Sequence, residues 1–179
     1  MKHHGIMLIM ILFFCACSAR VVPTPSLIEL DEVPNFNAPK EVSIINSQIS
    51  TGDIEIGSTG VGMGQIPKTV SGDLHEWTET AVDILKAELK KKNVAFPENA
   101  SKVLKLAITK VDMEGIVFVG GDKCTITLKV VTGDGVTRDF EEENIDTKRG
   151  VIGEVAYGAI AKAVISMLKD DKILSYLQE

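Results

Sequence analysis

Few residues of this chain combine a reactive side chain with the spacing that catalysis or cofactor binding would need. Gly60-x-Gly62 begins a dinucleotide-binding fingerprint, but position 65 is Gln where a third glycine is required. Lys68-Thr69 resembles the end of a phosphate-binding loop, yet Pro67 replaces the required glycine and has no backbone N–H to offer a phosphate. We therefore predict a hairpin or mobile loop in this glycine-rich stretch, with no bound cofactor.

The other reactive side chains form no recognisable constellation. His75 is the one histidine beyond the N-terminal segment, and a lone exposed histidine is not a metal site. The acidic run at 139–143 is interrupted by Phe140, which is typical of an edge strand with a charged outer face. Cys124 alternates with polar residues and is predicted to be a small core residue. We assign no catalytic residue and no metal ligand.

Two amphipathic helices are predicted to frame these residues. The first begins at Asp73, with Glu76 three residues on in a capping-box arrangement, and its apolar residues recur at helical spacing. The second covers about 151–168 and has an apolar face rich in alanine. The tail at 171–179 is too apolar to hang free, so we expect it to pack or to bind something.

Strands are predicted where apolar and polar residues alternate. The first covers 42–49, and the glycine-rich stretch after it could hold a short strand at 54–56. Three more are predicted at 103–111, 123–131 and 136–142, each with one wet face. The order β-α-β-β-β-α indicates an α+β fold, in which an antiparallel sheet of about four strands carries two amphipathic helices on one face.

The N-terminal segment has the composition of an export signal. Lys2 is followed by an apolar run at 6–14, which is too short for a membrane-spanning helix because a span needs roughly 20 residues. Ala16-Cys17 then resembles the lipobox of bacterial lipoproteins, where a small residue precedes an obligatory cysteine. The resemblance implies a signal peptide at 1–16 and acylation of Cys17. Cys15 fits less well because it follows a bulky residue.

The same resemblance predicts where the protein works. Lipoproteins kept in the inner membrane carry Asp after the acylated cysteine, whereas Ser18 follows it here. This implies a lipid anchor in the outer membrane, with the protein facing the periplasm. Residues 17–39 contain four of the six prolines and are predicted to be a tether, and residues 40–179 are predicted to form a single domain.

Composition narrows the range of partners. The formal net charge is -6, so the chain is a poor candidate for binding nucleic acid, where phosphate contacts dominate the affinity. The same charge disfavours attachment to a membrane through a basic surface. Cys124 is the only cysteine beyond the leader, which excludes a disulfide within the domain.

The leader, the tether and the β-α-β-β-β-α domain together resemble small bacterial envelope lipoproteins of the YajG-like kind. The auxiliary lipoproteins of ABC-type lipid-transport systems are similar. The likeness within the domain is carried by Leu104, Leu106 and Ile108, by Thr125-Ile126-Thr127-Leu128, and by a late helix that ends near Leu168-Lys169-Asp170. The resemblance implies an envelope location and supplies no reaction mechanism.

We therefore expect a non-enzymatic protein that binds an envelope protein partner or supports an envelope assembly or transport complex. One alternative is a lipid- or glycan-binding accessory protein of an ABC-type transport system, with a groove between helices and sheet. A hydrolytic enzyme is the less favoured alternative, and it would need a cleft joining His75 to the acidic run. Besides the edge at 139–143, the predicted contact residues are Gly60, Gly62 and Gly64 in the glycine loop and Leu174 and Leu177 in the tail.

Overall fold

The computed structural model describes residues 18–26, 33–59, 68–116, 121–147 and 151–178. Within these ranges, seven strands form one mixed sheet and three helices accompany it. The strands are β1 Ala19–Arg20, β2 Ser43–Asn46, β3 Ile54–Thr59, β4 Lys68–Gly72, β5 Val103–Gly115, β6 Asp122–Thr132 and β7 Thr137–Asp146. The helices are α1 Leu74–Lys90, α2 Ile152–Met167 and α3 Asp171–Gln178.

The strand order is β1-β4-β3-β5-β6-β7, and β2 also pairs with β5. The ladders β3/β4, β5/β6 and β6/β7 are antiparallel, whereas β1/β4, β2/β5 and β3/β5 are parallel. The predicted antiparallel sheet of about four strands with two helices is therefore wrong. The prediction failed because β2 and β3 share one edge of β5 through non-local parallel pairing, and the residue pattern within a strand does not identify its partner.

The local sequence accounts for both the start and the buried face of helix α1. The Asp73 side chain accepts a hydrogen bond from the backbone N–H of His75 at 2.8 Å and so caps the first turn. The apolar stripe faces the sheet and is buried, as the helical spacing predicts. It consists of Leu74, Trp77, Ala81, Leu85 and Leu89.

The core lies between the helices and the inner face of β5 and β6. Alternate residues of β6, namely Cys124, Ile126, Leu128 and Val130, are fully buried and face the helices. The buried face of α2 is rich in small residues, which lets the helix lie close to the sheet. A side chain at Gly158, for example, would collide with Asn144 of β7.

A buried hydroxyl joins α1 to the middle of the sheet. The β5/β6 register shifts between Ile108 and Lys110, so β5 carries an irregularity there. Thr78 of α1 accepts a hydrogen bond from the backbone N–H of Ile108 at 2.9 Å and donates one to the carbonyl of Leu74 at 2.8 Å. The helix thereby satisfies a strand N–H that would otherwise be buried without a partner.

The described part of the proline-containing segment lies on the domain. Strand β1 pairs with β4, and Val21 is buried, with its carbonyl accepting a hydrogen bond from Trp77 Nε1 at 3.2 Å. Arg20 forms ion pairs with Asp53 and Glu76, each at 2.8 Å. The tether at 17–39 was predicted from its four prolines, and β4, the strand with which residues 19 and 20 pair, was not predicted.

Helix α3 packs at the end of the sheet where β5 begins and β6 turns into β7. The Tyr176 hydroxyl accepts hydrogen bonds from the backbone N–H groups of Val103 at 2.8 Å and Gly133 at 3.2 Å. The predicted packing of the apolar tail is thus observed, in the form of a helix. Of the helices in the described ranges, none has both the length and the apolar character needed to cross a membrane.

Candidate interaction surface

Four of the residues singled out by the sequence lie outside the described residues. These are the predicted acylation site, Cys17, and the three loop glycines Gly60, Gly62 and Gly64. The strands β3 and β4 flank the glycine loop and pair antiparallel with each other, with Thr59 opposite Lys68. The loop therefore connects two neighbouring strands of the sheet.

The two tail residues predicted to contact a partner belong to the packing of the domain. Leu177 is buried, and Leu174 is partly buried and packs against the core cluster. The expectation that α3 presents both side chains to a partner is therefore wrong. The reason is that the apolar side of α3 already covers the end of the sheet, where Tyr176 anchors the helix.

The acidic run forms part of the edge strand β7. Asp139, Glu141 and Glu143 are exposed on the sheet face that carries no helix. The intervening Phe140 is partly buried against the core on the opposite face. This alternation agrees with the predicted edge strand with a charged outer face.

The backbone of β7 directs hydrogen-bonding groups out of the sheet. Thr132 N–H donates to the Val136 carbonyl at 2.9 Å where the β6–β7 ladder begins. Hydrogen-bonded and non-hydrogen-bonded residue pairs alternate along an antiparallel ladder. The backbone N–H and C=O groups of even-numbered β7 residues therefore point toward β6, and those of odd-numbered residues point toward the open edge. Hence Asp139 and Glu141 direct their N–H and C=O groups outward, and no described residue hydrogen-bonds these groups.

One end of this edge is covered by a lysine of α2. Lys162 Nζ donates to the backbone carbonyl of Glu143 at 3.0 Å. Nearby, the Ser166 hydroxyl donates to Glu142 Oε1 at 2.6 Å and fixes α2 beside β7. Lys162 was not singled out from the sequence, although it is the one basic residue of the mostly apolar helix α2, and that isolation is a signal that could have identified it.

His75 takes part in a polar cluster at the start of α1. Its Nδ1 lies 3.0 Å from the carbonyl of Gln48, and its Nε2 lies 3.7 Å from Glu79 Oε1. Glu79 in turn accepts a hydrogen bond from Asn46 Nδ2 at 2.7 Å. The cluster holds the segment after β2 against the helix. It lies across the sheet from β7 and does not meet the acidic run.

Two other ionisable groups have clear structural environments. Burial raises the pKa of the Cys124 thiol to about 12 from an ordinary value of 9.0, so the thiol is protonated at neutral pH. Burial also raises the pKa of Asp122, the first residue of β6. Within the described ranges, no group of three or more His, Cys, Asp or Glu side chains is arranged to hold a metal ion.

Two shallow grooves of the described part of the chain are candidates for a small-molecule site. The larger, of about 490 Å³, is lined by Ser43, Ile44, Ile45, Lys86, Phe96, Pro97 and Glu98. The smaller, of about 240 Å³, is lined by Pro23, Pro25, Thr80, Asp83, Ile84, Ala87 and Tyr157. Both mix polar and apolar groups, whereas small-molecule sites are usually enclosed and mostly apolar. We therefore take the edge of β7 as the candidate interaction surface.

The similarity of this chain to known proteins is distant. No family model and no curated protein matches the chain. Among solved structures, the chain is similar to the crystal structure of protein XCC0632 from the bacterium Xanthomonas campestris, of family DUF330. The TM-score is 0.47 at 10% sequence identity, and the match covers 88% of this chain and 92% of that chain.

Proposed function

We propose that this chain is a lipoprotein of the bacterial envelope, anchored through Cys17 in the outer membrane, whose domain binds a protein partner in the periplasm. The open edge of β7 is the observation that carries the proposal. A strand that leaves N–H and C=O groups unpaired can accept an extended segment of another protein as a further strand. The anchor is supported by Ala16-Cys17 after an apolar run, and the outer membrane by Ser18.

The charges on β7 define the chemistry of the partner segment. A strand added at this edge places its side chains directly opposite Asp139, Glu141 and Glu143 on the exposed face. A second copy of β7 would bring carboxylates against carboxylates, which is destabilising. A segment with Lys or Arg at alternate positions gains opposite-charge pairs instead. The same carboxylates thus discourage self-association and select a basic partner.

Photocrosslinking in living cells tests the partner surface. A photoreactive amino acid placed at Asp139 or Glu141 is expected to capture one defined envelope protein. Asp83 and Glu98 are the matched control positions, because both are acidic, exposed and remote from β7. Capture of a partner only from the control positions would contradict the role of β7, and capture from none of the four would contradict partner binding.

Strand addition and simple charge attraction predict different mutant behaviour. Glu141→Pro removes an outward N–H without removing a bond to β6, whereas Glu141→Gln keeps the N–H and removes only the charge. We expect Glu141→Pro to abolish crosslinking from position 139 and Glu141→Gln to weaken it by a few fold. Equal crosslinking in Glu141→Pro and the unchanged protein would exclude strand addition.

The lipid anchor is tested separately. Cys17→Ala removes the proposed site of acylation, so the cleaved form of this variant should wash off the membrane fraction. Cys15→Ala is the matched control and should stay acylated and membrane-bound. Mass spectrometry of the mature N-terminus identifies the modified residue. Persistent acylation in Cys17→Ala would disprove the assignment.

A further inference from the structure

The folded domain begins very close to the proposed acylation site. Strand β1 starts at Ala19, two residues after Cys17, and pairs with β4. Val21 N–H donates to the carbonyl of Ser71 at 2.8 Å, and the Val21 carbonyl accepts from Trp77 Nε1 at 3.2 Å. Val21 is 2% exposed. The chain is therefore fixed to the domain at residues 19–21.

The reach of the chain limits how far the domain can lie from the lipid. A fully extended residue spans at most about 3.6 Å, so two residues reach roughly 7 Å and four reach roughly 14 Å. We infer that the bilayer surface is a second contact partner of this domain, and that lipid headgroups cover the end of the sheet at which β4 begins. This inference rests on the proposed acylation of Cys17.

The strand directions identify the end that faces the lipid. Because β1 is parallel to β4, with Ala19 opposite Val70, the chain before Ala19 leaves the domain beside Lys68. The parallel pairing of β3 and β5 brings Glu114 to the same end, where it forms an ion pair with Lys123 at 2.6 Å. Acidic and basic groups are both present there, so chain length and not charge attraction determines the orientation.

This orientation leaves the proposed partner surface free. In the β6–β7 ladder, Asp146 lies opposite Asp122 at the lipid end, and Thr137 lies at the far end. A strand of this length rises about 30 Å from one end to the other. The outward groups of Asp139 and Glu141 therefore stand away from the bilayer and open to the periplasm.

Energy transfer from tryptophan to the bilayer tests the inference. Trp77 is the only tryptophan of the chain, and it lies directly against Val21. The acylated full-length protein is reconstituted into phosphatidylcholine–phosphatidylethanolamine vesicles that contain a dansyl-labelled headgroup lipid, and transfer from Trp77 to dansyl is measured. We expect efficient transfer because Trp77 lies close to the headgroups.

A length change in the linker gives the decisive comparison. A flexible Gly/Ser linker of about 20 residues, inserted between Ser18 and Ala19, adds roughly 25 Å of root-mean-square reach. It should lower the energy transfer by at least about half, because the domain is then released from the surface. The same linker appended after Glu179 is the matched control and should change nothing. The emission maximum of Trp77 reports whether each variant is folded.

The outcomes separate this inference from the proposed anchor. An unacylated mature protein, or equal vesicle binding by Cys17→Ala, disproves the anchor. An acylated, folded protein whose energy transfer is weak, or is unchanged by the inserted linker, disproves the close approach and leaves the anchor intact. Efficient transfer that falls only with the linker at Ser18 supports the inference.

Discussion

Single buried side chains connect the layers of this domain. The Thr78 hydroxyl is 0% exposed, and it both accepts from Ile108 of β5 and donates within α1. Cys124 is fully buried at the centre of the inner sheet face. Each of these residues therefore gives a stability prediction that depends on its specific contacts.

Thr78→Val replaces the buried hydroxyl by a methyl group of similar size. The N–H of Ile108 then has no partner, and we expect the free energy of unfolding to fall by about 1–3 kcal/mol. Thr80→Val is the matched control, because its half-buried hydroxyl bonds only to the Glu76 carbonyl of its own helix at 3.1 Å. Its effect should stay within about 0.5 kcal/mol. Equal losses in urea titrations of the two variants would contradict the proposed link to β5.

The Cys124 thiol should make stability depend on alkaline pH. Its pKa is about 12 in the folded protein and 9.0 ordinarily. Below the lower value the thiol is protonated in both states, and it imposes no penalty. As pH rises between the two values, only the unfolded chain loses the proton, so stability falls by up to about 1.4 kcal/mol per pH unit. Urea unfolding from neutral pH to about pH 11 should show this slope, and Cys124→Ala should lack it. Parallel curves for the two proteins would refute the assignment.

At the scale of elements, the short terminal helix is held by few contacts. Helix α3 has 8 residues, and isolated helices of this length are unstable in water. The position of α3 depends on buried Ile173 and Leu177 and on the Tyr176 hydroxyl. This hydroxyl accepts hydrogen bonds from the backbone N–H of Val103, at the start of β5, and of Gly133, in the β6–β7 turn. Loss of that hydroxyl should affect α3 before the rest of the fold.

Tyr176→Phe tests this dependence. Removing the hydroxyl leaves two backbone N–H groups without their acceptor, so we expect a loss of about 1–2 kcal/mol and faster amide hydrogen exchange in α3. Tyr157→Phe is the matched control, because Tyr157 is the other of the chain's two tyrosines and its hydroxyl bonds to no described residue. Unchanged exchange in α3 of Tyr176→Phe would show that the apolar contacts alone hold the helix.

At the scale of the whole molecule, the segment that follows Cys17 is part of the folded unit. Neighbouring residues of this segment provide a matched pair, since Val21 is 2% exposed and Val22 is 47% exposed. The sole tryptophan, Trp77, contacts the segment and reports on its state. The position of this segment also sets the distance between the domain and the proposed lipid anchor.

Val21→Ala should lower the free energy of unfolding by about 1–3 kcal/mol, because it leaves a cavity in the core. Val22→Ala should change it by no more than about 0.5 kcal/mol. Urea unfolding followed by Trp77 fluorescence measures both. Indistinguishable midpoints would mean that the segment is detached from the domain in solution, and the close approach to the bilayer would then lose its basis.

Local sequence patterns determined the elements that are long and periodic. Helix α1, with its Asp73 cap, follows from helical spacing, and β6 follows from strict alternation. The partial alternation of β5 and β7 predicted both strands, which extend beyond the predicted ranges to Gly115 and Asp146. Both patterns arise within one element, since side chains repeat every 3.6 residues in a helix and every two in a strand. The acidic run was correctly predicted to lie on an edge strand for the same reason.

Only the tertiary structure decided how these elements meet. Strand β4 has a single buried apolar residue, Val70, and β1 has two residues, so neither carries a readable period. Their pairing, and the shared edge of β5, depend on hydrogen bonds between segments far apart in the chain. Which backbone groups of β7 remain open depends in turn on the strand order. Local periodicity records which face of an element is buried, whereas the identity of the neighbour is a property of the assembled sheet.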